Sequence, residues 1–390
     1  MDFTFTEEQE AVAQAAATVF EGMVTTDRLT EIERTDDRVD EELWAALARA
    51  NLLGLAVSEE HGGSGLGLTE VCLVLEQQGR AVAPVPLWAT VVLGALPVER
   101  WGTPEQKARF LPGLVAGEIR LSAALTECAA SSTGRPAVAA RRDGDGFILD
   151  GTTRAVPQAH LASHVLVPAR TDGGVIVALV DMSAPGVATE RATTTDRQVH
   201  PHVTLTSVRV DGADLLAGPA DGPVVVTWML ERARVGLCAL QLGVTEEAIR
   251  RAAAYLNQRH QFGRPLSSFQ GTMLRAADAY IDSEAIRVTL WLAAWQLDTG
   301  RPAADAVATA KWWASEAGQR VVHATQHLHG GMGADITYPI HRYFLWGKQI
   351  ELMLEGPSAQ LARMGAALAA RYRRPPASAA TAATAVTTGR

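Results

Sequence analysis

The sequence predicts an α+β multidomain protein with an all-helical N-terminal domain, a middle antiparallel β domain and a C-terminal four-helix bundle. Three observations predict it. The chain has 390 residues, more than one typical core accommodates, so two or three domains are expected. Apolar residues recur with a helical period up to about residue 117 and again from about residue 223. Between those limits the sequence breaks into short β-prone runs separated by turn signals.

The elements follow in order. Thr6, with Glu8 and Gln9 behind it, reads as a helix start, and the Ala-rich run from Glu10 to Gly22 continues it. Glu41 to Asn51 places Leu43, Trp44, Leu47 and Ala50 at helical spacing. Gly62, Gly63, Gly65 and Gly67 then form a Gly-rich loop, which is not a phosphate cradle because no Lys-Ser/Thr follows and no strand-to-helix unit surrounds it. Thr69 to Arg80 predicts a further helix that Pro84 and Pro86 terminate. Thr103-Pro104-Glu105-Gln106 predicts an N-cap with proline at the first helical position.

From about Ile119 to Leu216 the predicted strands are Ala137-Val-Ala-Ala, Phe147-Ile-Leu after the turn Asp143-Gly-Asp-Gly, Val165-Leu-Val, Val175-Ile-Val-Ala-Leu-Val and Val203-Thr-Leu-Thr. Four long helices are then predicted near 223–259, 268–298, 303–328 and 340–370, the pattern of a bundle. Gly236, Ala239 and Gly243 along the first of them predict close helix contacts. The resulting domains are 1–117, 118–219 and 220–374, and the tail 375–390, with little apolar bulk, is expected to be disordered.

Composition excludes several functions. Hydrophobic content of 47% with 20% charged residues is that of a globular protein, and no apolar run reaches the length of a membrane span. A net charge of −8 disfavours nucleic-acid and anionic-membrane partners, so a phosphate-bearing ligand would be held by local arginines and backbone groups. Cys72, Cys128 and Cys238 are far apart and lack metal spacing, which fits reduced thiols in a cytoplasmic protein. The N-terminus is acidic and unlike a signal peptide.

Arg259 to Gln270 concentrates recognition chemistry between two helices. Gly263 and Pro265 let the chain reverse, Arg259 offers a planar fork to a phosphate, and Gln270 can hydrogen-bond a ring or sugar edge. An arginine capping the last carbonyls of a helix hairpin is the alternative. Glu231 and Arg234, at i and i+3, share one helix face and can meet. His323 and His327 are at i and i+4, but no carboxylate or thiol accompanies them in zinc-like spacing, and no metal is expected.

Tyr255-x3-Arg259-x2-Phe262-Gly263-x2-Leu266-x2-Phe269-Gln270 resembles the C-terminal signature of the acyl-CoA dehydrogenase family, and four further segments match in order over roughly residues 3 to 370. Ala124-Leu-Thr-Glu-Cys-Ala-Ala-Ser-Ser-Thr133 resembles the family's Ala-Leu-Thr-Glu-Pro segment, with Cys128, Ser131 and Thr133 in place of Pro, Gly and Asp. Gly151-Thr-Thr-Arg-Ala-Val-Pro157 occupies the place of the segment that flanks the flavin, with Ala155 and Pro157 where an aromatic residue and a hydroxyl are usual. Glu231-Arg-Ala-Arg234 resembles an Asp-x-x-Arg helix motif. His327-Leu-His-Gly-Gly-Met-Gly333 resembles a Gln-x-x-Gly-Gly-x-Gly segment, and Met353-Leu-Glu-Gly-Pro-Ser358 resembles Tyr-Glu-Gly-Thr.

The resemblance implies an acyl-CoA dehydrogenase-like fold whose middle domain is a β-barrel, with FAD between the last two domains and across a subunit boundary. The implied cofactor contacts are Leu125, Thr126, Ser132, Arg259, Phe262, Gln270, His327, Gly330 and Gly331. Glu231, Arg234 and Gly356 are the implied substrate contacts. Glu355 is the implied base, removing the α-proton of an acyl-CoA, or of an acyl carrier protein-bound thioester, while a β-hydride passes to the flavin. An apolar pocket would raise such a carboxylate's pKa toward that of the carbon acid. Counted without gaps from Tyr338-Pro339 and Lys348, the base position falls on Leu354, and one inserted residue moves it to Glu355; Glu351 and Glu231 are the other carboxylates available.

The implied partners are a second copy, as dimer or tetramer, or a paralogue in a heterotetramer, with an electron-transfer flavoprotein as electron acceptor. Two alternatives stay open: a flavin-dependent monooxygenase or oxidase of the same fold, and a catalytically silent subunit of a hetero-oligomeric enzyme.

Overall fold

The computed structural model describes residues 4–130 and 135–372. The helical N-terminal part contains α1 (Glu7–Met23), α2 (Thr26–Ile32), α3 (Glu41–Arg49), α4 (Leu68–Ala81), α5 (Leu96–Trp101) and α6 (Pro104–Val115). Local chemistry sets the starts. Thr6 and Gln9 close a capping box on α1, and Thr103 and Gln106 close another on α6, whose first residue is Pro104. Residues Trp88–Ala95 wind more loosely, with five-residue hydrogen-bond spacing. Pro97 follows and lacks an N–H, and the Leu96 N–H reaches back to the Val91 carbonyl.

The middle region is a sheet of β1 (Leu121–Ala123), β2 (Val138–Asp143), β3 (Gly146–Thr153), β4 (His164–Thr171), β5 (Gly174–Asp181), β6 (Val187–Glu190), β7 (His202–Val210) and β8 (Leu215–Ala217), with the short helix α7 (Thr126–Ala130) after β1. Its order is β6-β7-β3-β2-β4-β5-β8, and β1 pairs with β4. All five predicted strands are present. Two pairings depart from the antiparallel expectation: β1 with β4 and β2 with β4 run parallel. Parallel neighbours cannot be joined by a tight turn; between β2 and β4 the chain returns along β3, antiparallel to β2, and residues 154–163 lead from β3 into β4. The sheet buries its own core of Val138, Leu149, Val165, Val167, Ile176, Val180, Val203 and Leu205.

The C-terminal part consists of α8 (Gly222–Gln258), α9 (Gln270–Asp298), α10 (Ala304–Leu328), α11 (Ile340–Leu352) and α12 (Pro357–Tyr372). The fourth predicted helix is therefore two. Pro357 cannot donate to a preceding carbonyl and disfavours helical geometry at Gly356, so the chain leaves α11 extended at Met353 and turns left-handed at Leu354 (φ 51°) and Glu355 (φ 81°). The expected disorder of 375–390 lies outside the described residues.

One apolar core joins the two helical parts, with Leu43, Leu47, Leu75 and Val98 in the same cluster as Leu237, Leu240, Ile286 and Ala314. The small residues predicted on α8 let α4 close on it. A Cβ at Gly243 would stand 1.9 Å from the Glu76 carbonyl oxygen, and one at Gly79 of α4 would stand 2.1 Å from that of Leu240. The two backbones thus notch into each other. A second tie is electrostatic: Glu33, just after α2, receives Arg342 Nε of α11 at 2.6 Å and Arg197 Nη1 of the β6–β7 connection at 3.0 Å. Burial alone would raise the Glu33 carboxyl, but the two guanidiniums outweigh it and hold it below its ordinary value.

Two outcomes follow. Gly243→Ala forces the α4–α8 backbones apart and is expected to cost about 3 kcal/mol, read from the denaturant midpoint. Because the folded pKa of Glu33 is depressed, its stabilisation is complete above the ordinary value of 4.5 and is lost as pH falls through the folded value. Glu33→Gln should therefore lower stability at neutral pH by about 2 kcal/mol, between a surface and a buried pair, and flatten the acid loss of melting temperature.

Candidate active site

A cavity of about 290 Å³ opens where the loosely wound segment, the sheet and the α11–α12 turn meet. Trp88, Leu93, Leu125 and Met353 make it apolar, and Thr126, at the start of α7, places a hydroxyl on its wall. Trp88 is fixed by its Nε1–H bond to the Ala233 carbonyl at 3.1 Å. Ala155 and Pro157 line the cavity as well, so the wall they form offers neither a stacking ring nor a hydroxyl.

The left-handed turn delivers Glu355 to this cavity, where it is the sole carboxylate among the lining residues. It is not the unpaired carboxylate in apolar surroundings that the sequence led us to expect. Arg363 Nε of α12 lies 2.6 Å from Glu355 Oε2 and Arg234 Nη2 of α8 lies 3.4 Å from the same oxygen. Arg363 also donates to the Ala129 carbonyl of α7, tying α12 to the segment that carries Thr126. Among the described residues both side-chain hydrogen bonds to Glu355 fall on Oε2 and none on Oε1.

Arg234 is 7% exposed, and its Nε is buried without a partner among the described residues. Burial, reinforced by Arg363, pushes its guanidinium down to about 10 against the pull of Glu355 and Glu231. The expected Glu231–Arg234 pair is not formed: Glu231 turns to Arg232 at 3.5 Å, because the buried face that Arg234 occupies leads to Glu355 instead. Burial raises the Glu231 carboxyl. Gly356 sits half-buried beyond Glu355 in the same turn.

The remaining predicted residues stand apart from this cavity. Arg259 caps α8 and is exposed, followed by the hairpin of β9 (His260–Gln261) and β10 (Arg264–Pro265). Its turn is Phe262-Gly263, with φ of 53° and 77°, the two left-handed residues that a tight hairpin requires. Phe262 is 92% exposed, and Gln270 opens α9 on the surface. His327, Gly330 and Gly331 are exposed at the end of α10. Ser132 lies outside the described residues.

Residues that sequence reasoning passed over connect these parts. His329 is buried, stacks on Tyr255 at 4.8 Å and lies 5.3 Å from Tyr338, so it anchors the Gly330–Gly331 segment to the end of α8. His200 lines the cavity, and burial lowers its pKa, keeping the imidazole neutral. Lys311 of α10 is fully buried under the α11–α12 turn. His329 stands inside the quoted His327–Gly333 segment and was given no role of its own; nothing marked His200 or Lys311, since a single His or Lys carries no mark of what lies opposite.

The residues present fit the cofactor that the resemblance implies in two respects. The cavity supplies apolar faces and the Thr126 hydroxyl for a planar ring system. Beside Gly330, His329 Nε2 and Gln326 Oε1 are buried without partners among the described residues, and a Cβ at Gly330 or Gly331 would meet nothing within 4 Å. In one respect they differ: Ala155 and Pro157 supply no donor. Among the described residues no group of three or more His, Cys, Asp or Glu is placed to hold a metal ion, and no helix is long and apolar enough to cross a membrane.

Comparison with known proteins gives concordant matches. The family model described as acyl-CoA dehydrogenase, N-terminal domain, matches residues 6–118, and that described as acyl-CoA dehydrogenase, C-terminal domain, matches 220–369. The chain is 38% identical over 377 residues to acyl-CoA dehydrogenase FadE27 of Mycobacterium tuberculosis (strain ATCC 25618 / H37Rv), covering 95% of this chain and 99% of that relative. Among solved structures it resembles a chain of a variant of the Tcur3481-Tcur3483 steroid ACAD, with 46% identity, a TM-score of 0.88 and coverage of 94% and 99%. It also resembles a chain of the ChsE4-ChsE5 complex from Mycobacterium tuberculosis, with 38% identity, a TM-score of 0.89 and coverage of 97% and 100%.

Proposed function

The chain belongs to the acyl-CoA dehydrogenase family of FAD-dependent oxidoreductases, and from that premise we propose that it carries out α,β-dehydrogenation of an acyl-CoA with Glu355 as base. The observation that carries the proposal is the placement of Glu355 as the sole carboxylate lining the apolar cavity, with one oxygen held by two arginines and the other open.

The acyl chain enters between Trp88, Leu93, Leu125 and Met353, which exclude water from the carbon to be deprotonated. Glu355 Oε1 takes the α-proton, while Arg363 and Arg234 on Oε2 fix the plane of the carboxylate. FAD, when bound, supplies the two-electron acceptor for the β-hydrogen. The α-C–H bonding electrons become the second bond of the enoyl thioester and the α-proton goes to Glu355; the β-hydrogen with its electron pair would go to the cofactor when it is bound. Thr126 and the Leu125 backbone hold the ring system. Arg259, Phe262, Gln270, His327, Gly330 and Gly331 hold the nucleotide part, and their exposure fits a cofactor completed by a neighbouring chain.

That neighbour covers α9. Leu274, Ile281 and Val288 recur there every seven residues, each about half exposed or more, with Met273 and Tyr280 beside them. We take the neighbour to be a paralogue, since both similar structures carry the names of two chains. The substrate class is then an acyl-CoA borne on a steroid, after the 46% identical steroid ACAD, and an electron-transfer flavoprotein reoxidises the enzyme.

A second reading is favoured by the two guanidiniums on Glu355: the carboxylate is a structural clamp, and the paralogue supplies the base. Anaerobic mixing of the assembled enzyme with a steroid acyl-CoA separates the two. On the first reading the flavin band bleaches, and Glu355→Gln slows bleaching by about 10³-fold. Bleaching by Glu355→Gln at the wild-type rate would assign the base to the other chain.

A further inference from the structure

Lys311 is the most deeply buried cation of the chain's described residues, 0% exposed in the middle of α10. Its ammonium donates to Ser315 Oγ at 2.7 Å and to the carbonyls of Ile350 at 3.1 Å and Glu351 at 3.2 Å. Ser315 in turn donates its hydroxyl to the Glu351 carbonyl at 3.1 Å.

Those two carbonyls belong to the last turn of α11, where helix geometry leaves acceptors without intrahelical donors and where a positive charge meets the negative end of the dipole. The usual remedy, a left-handed glycine directly after the helix, is missing. Met353 leaves in an extended conformation and the left-handed pair comes after it, at Leu354 and Glu355. The helix that follows holds the turn by the Arg363 Nε bond to the Glu355 side chain at 2.6 Å and by two long bonds from Gln360, its N–H to the Gly356 carbonyl and its Nε2 to the Leu354 carbonyl, each at 3.4 Å.

Burying an ammonium is costly unless its partners compensate, and no substrate or solvent reaches this one. The groups facing it are Ser315 on its own helix, Cys238 and Arg234 from α8, and Glu351 and Glu355 from the end of α11 and the turn.

We propose that Lys311, relayed by Ser315, is the positioning residue that fixes the last turn of α11 and thereby sets Glu355 at the α-carbon of the substrate. The proposal rests on the reading of Glu355 as base. Lys311 touches no reacting atom; it determines where the turn begins, and a shift of that turn by an ångström moves the carboxylate out of line. Burial, the largest influence, pushes its ammonium down to about 8, so the three-donor form that satisfies all its acceptors is the one present below that pH.

The test reads proton removal alone: exchange of the thioester α-hydrogen for deuterium from solvent, catalysed by the assembled FAD-loaded enzyme and followed by mass spectrometry. Lys311→Met is expected to slow exchange about 10²-fold while calorimetry gives an unchanged acyl-CoA dissociation constant. Ser315→Ala, which keeps the charge and is the milder change, is expected to slow it about tenfold, the worth of one hydrogen bond. The wild-type rate should fall above about pH 8 and that limb should vanish in Lys311→Met. Exchange at the wild-type rate in a folded Lys311→Met or in Ser315→Ala, beside a Glu355→Gln that does not exchange, would overturn the proposal and leave the base in place. Undiminished exchange by Glu355→Gln would overturn both.

Discussion

A 37-residue helix with buried residues along most of its length must be surrounded by partners that approach closely, and α8 sets the terms for the rest of the chain. Its glycines admit the α4 backbone to within the reach of a single missing Cβ, while α9, α10 and α11 take other sides. The functional groups are spaced along it. The Ala233 carbonyl fixes Trp88, Arg234 meets Glu355, Tyr255 receives His329, and Arg259 ends it at the exposed hairpin. Moving α8 by a helical turn would therefore disturb the cavity and the exposed hairpin together. The N-terminal helices matter here as packing, since their core is continuous with that of the bundle.

What the sequence revealed depended on whether the determinant was local. The capping boxes at Thr6 and Thr103, the turn at Asp143-Gly-Asp-Gly and the long helical periods are each decided within a few residues, and all are present. Strands of three or four residues, β1, β6 and β8, are too short to show a period and were invisible. The split of the fourth bundle helix was signalled by Pro357, yet the continuing apolar pattern of 340–370 masked it. Parallel pairing to β4 could not be foreseen, because it depends on β4 taking the side of β2 opposite to β3, a choice that no local signal marks.

At the site the same division holds. The family resemblance pointed to Thr126, to the Tyr255–Gln270 stretch and, with one inserted residue, to Glu355 where ungapped spacing gave Leu354; the cavity brings Thr126 and Glu355 together. Helical spacing paired Glu231 with Arg234 by proximity alone, but burial decides which way a guanidinium turns. Arg234 is enclosed and finds Glu355, 121 residues away, while Glu231 keeps the half-exposed neighbour Arg232. Lys311 illustrates the limit most clearly, since its partners are carbonyl oxygens, which every residue has and which no sequence pattern distinguishes.

The charges gathered at the turn bear on the reaction itself. Arg234 and Arg363 meet one oxygen of Glu355, Lys311 lies beneath the turn on the Ile350 and Glu351 carbonyls, and the Glu351 carboxylate is engaged by Lys348 at 2.5 Å. On the proposed reading, taking the proton moves the negative charge from Glu355 onto the enolate-like carbons of the thioester. The guanidiniums then face an anion that has shifted rather than vanished, and their field, fixed by burial and needing no reorientation, favours the displaced charge. That requires the turn to hold Glu355 within reach of both the guanidiniums and the substrate. A carboxylate that only clamped the chain would have no use for an oxygen outside the Arg234 and Arg363 bonds, which is what favours the reading of Glu355 as base.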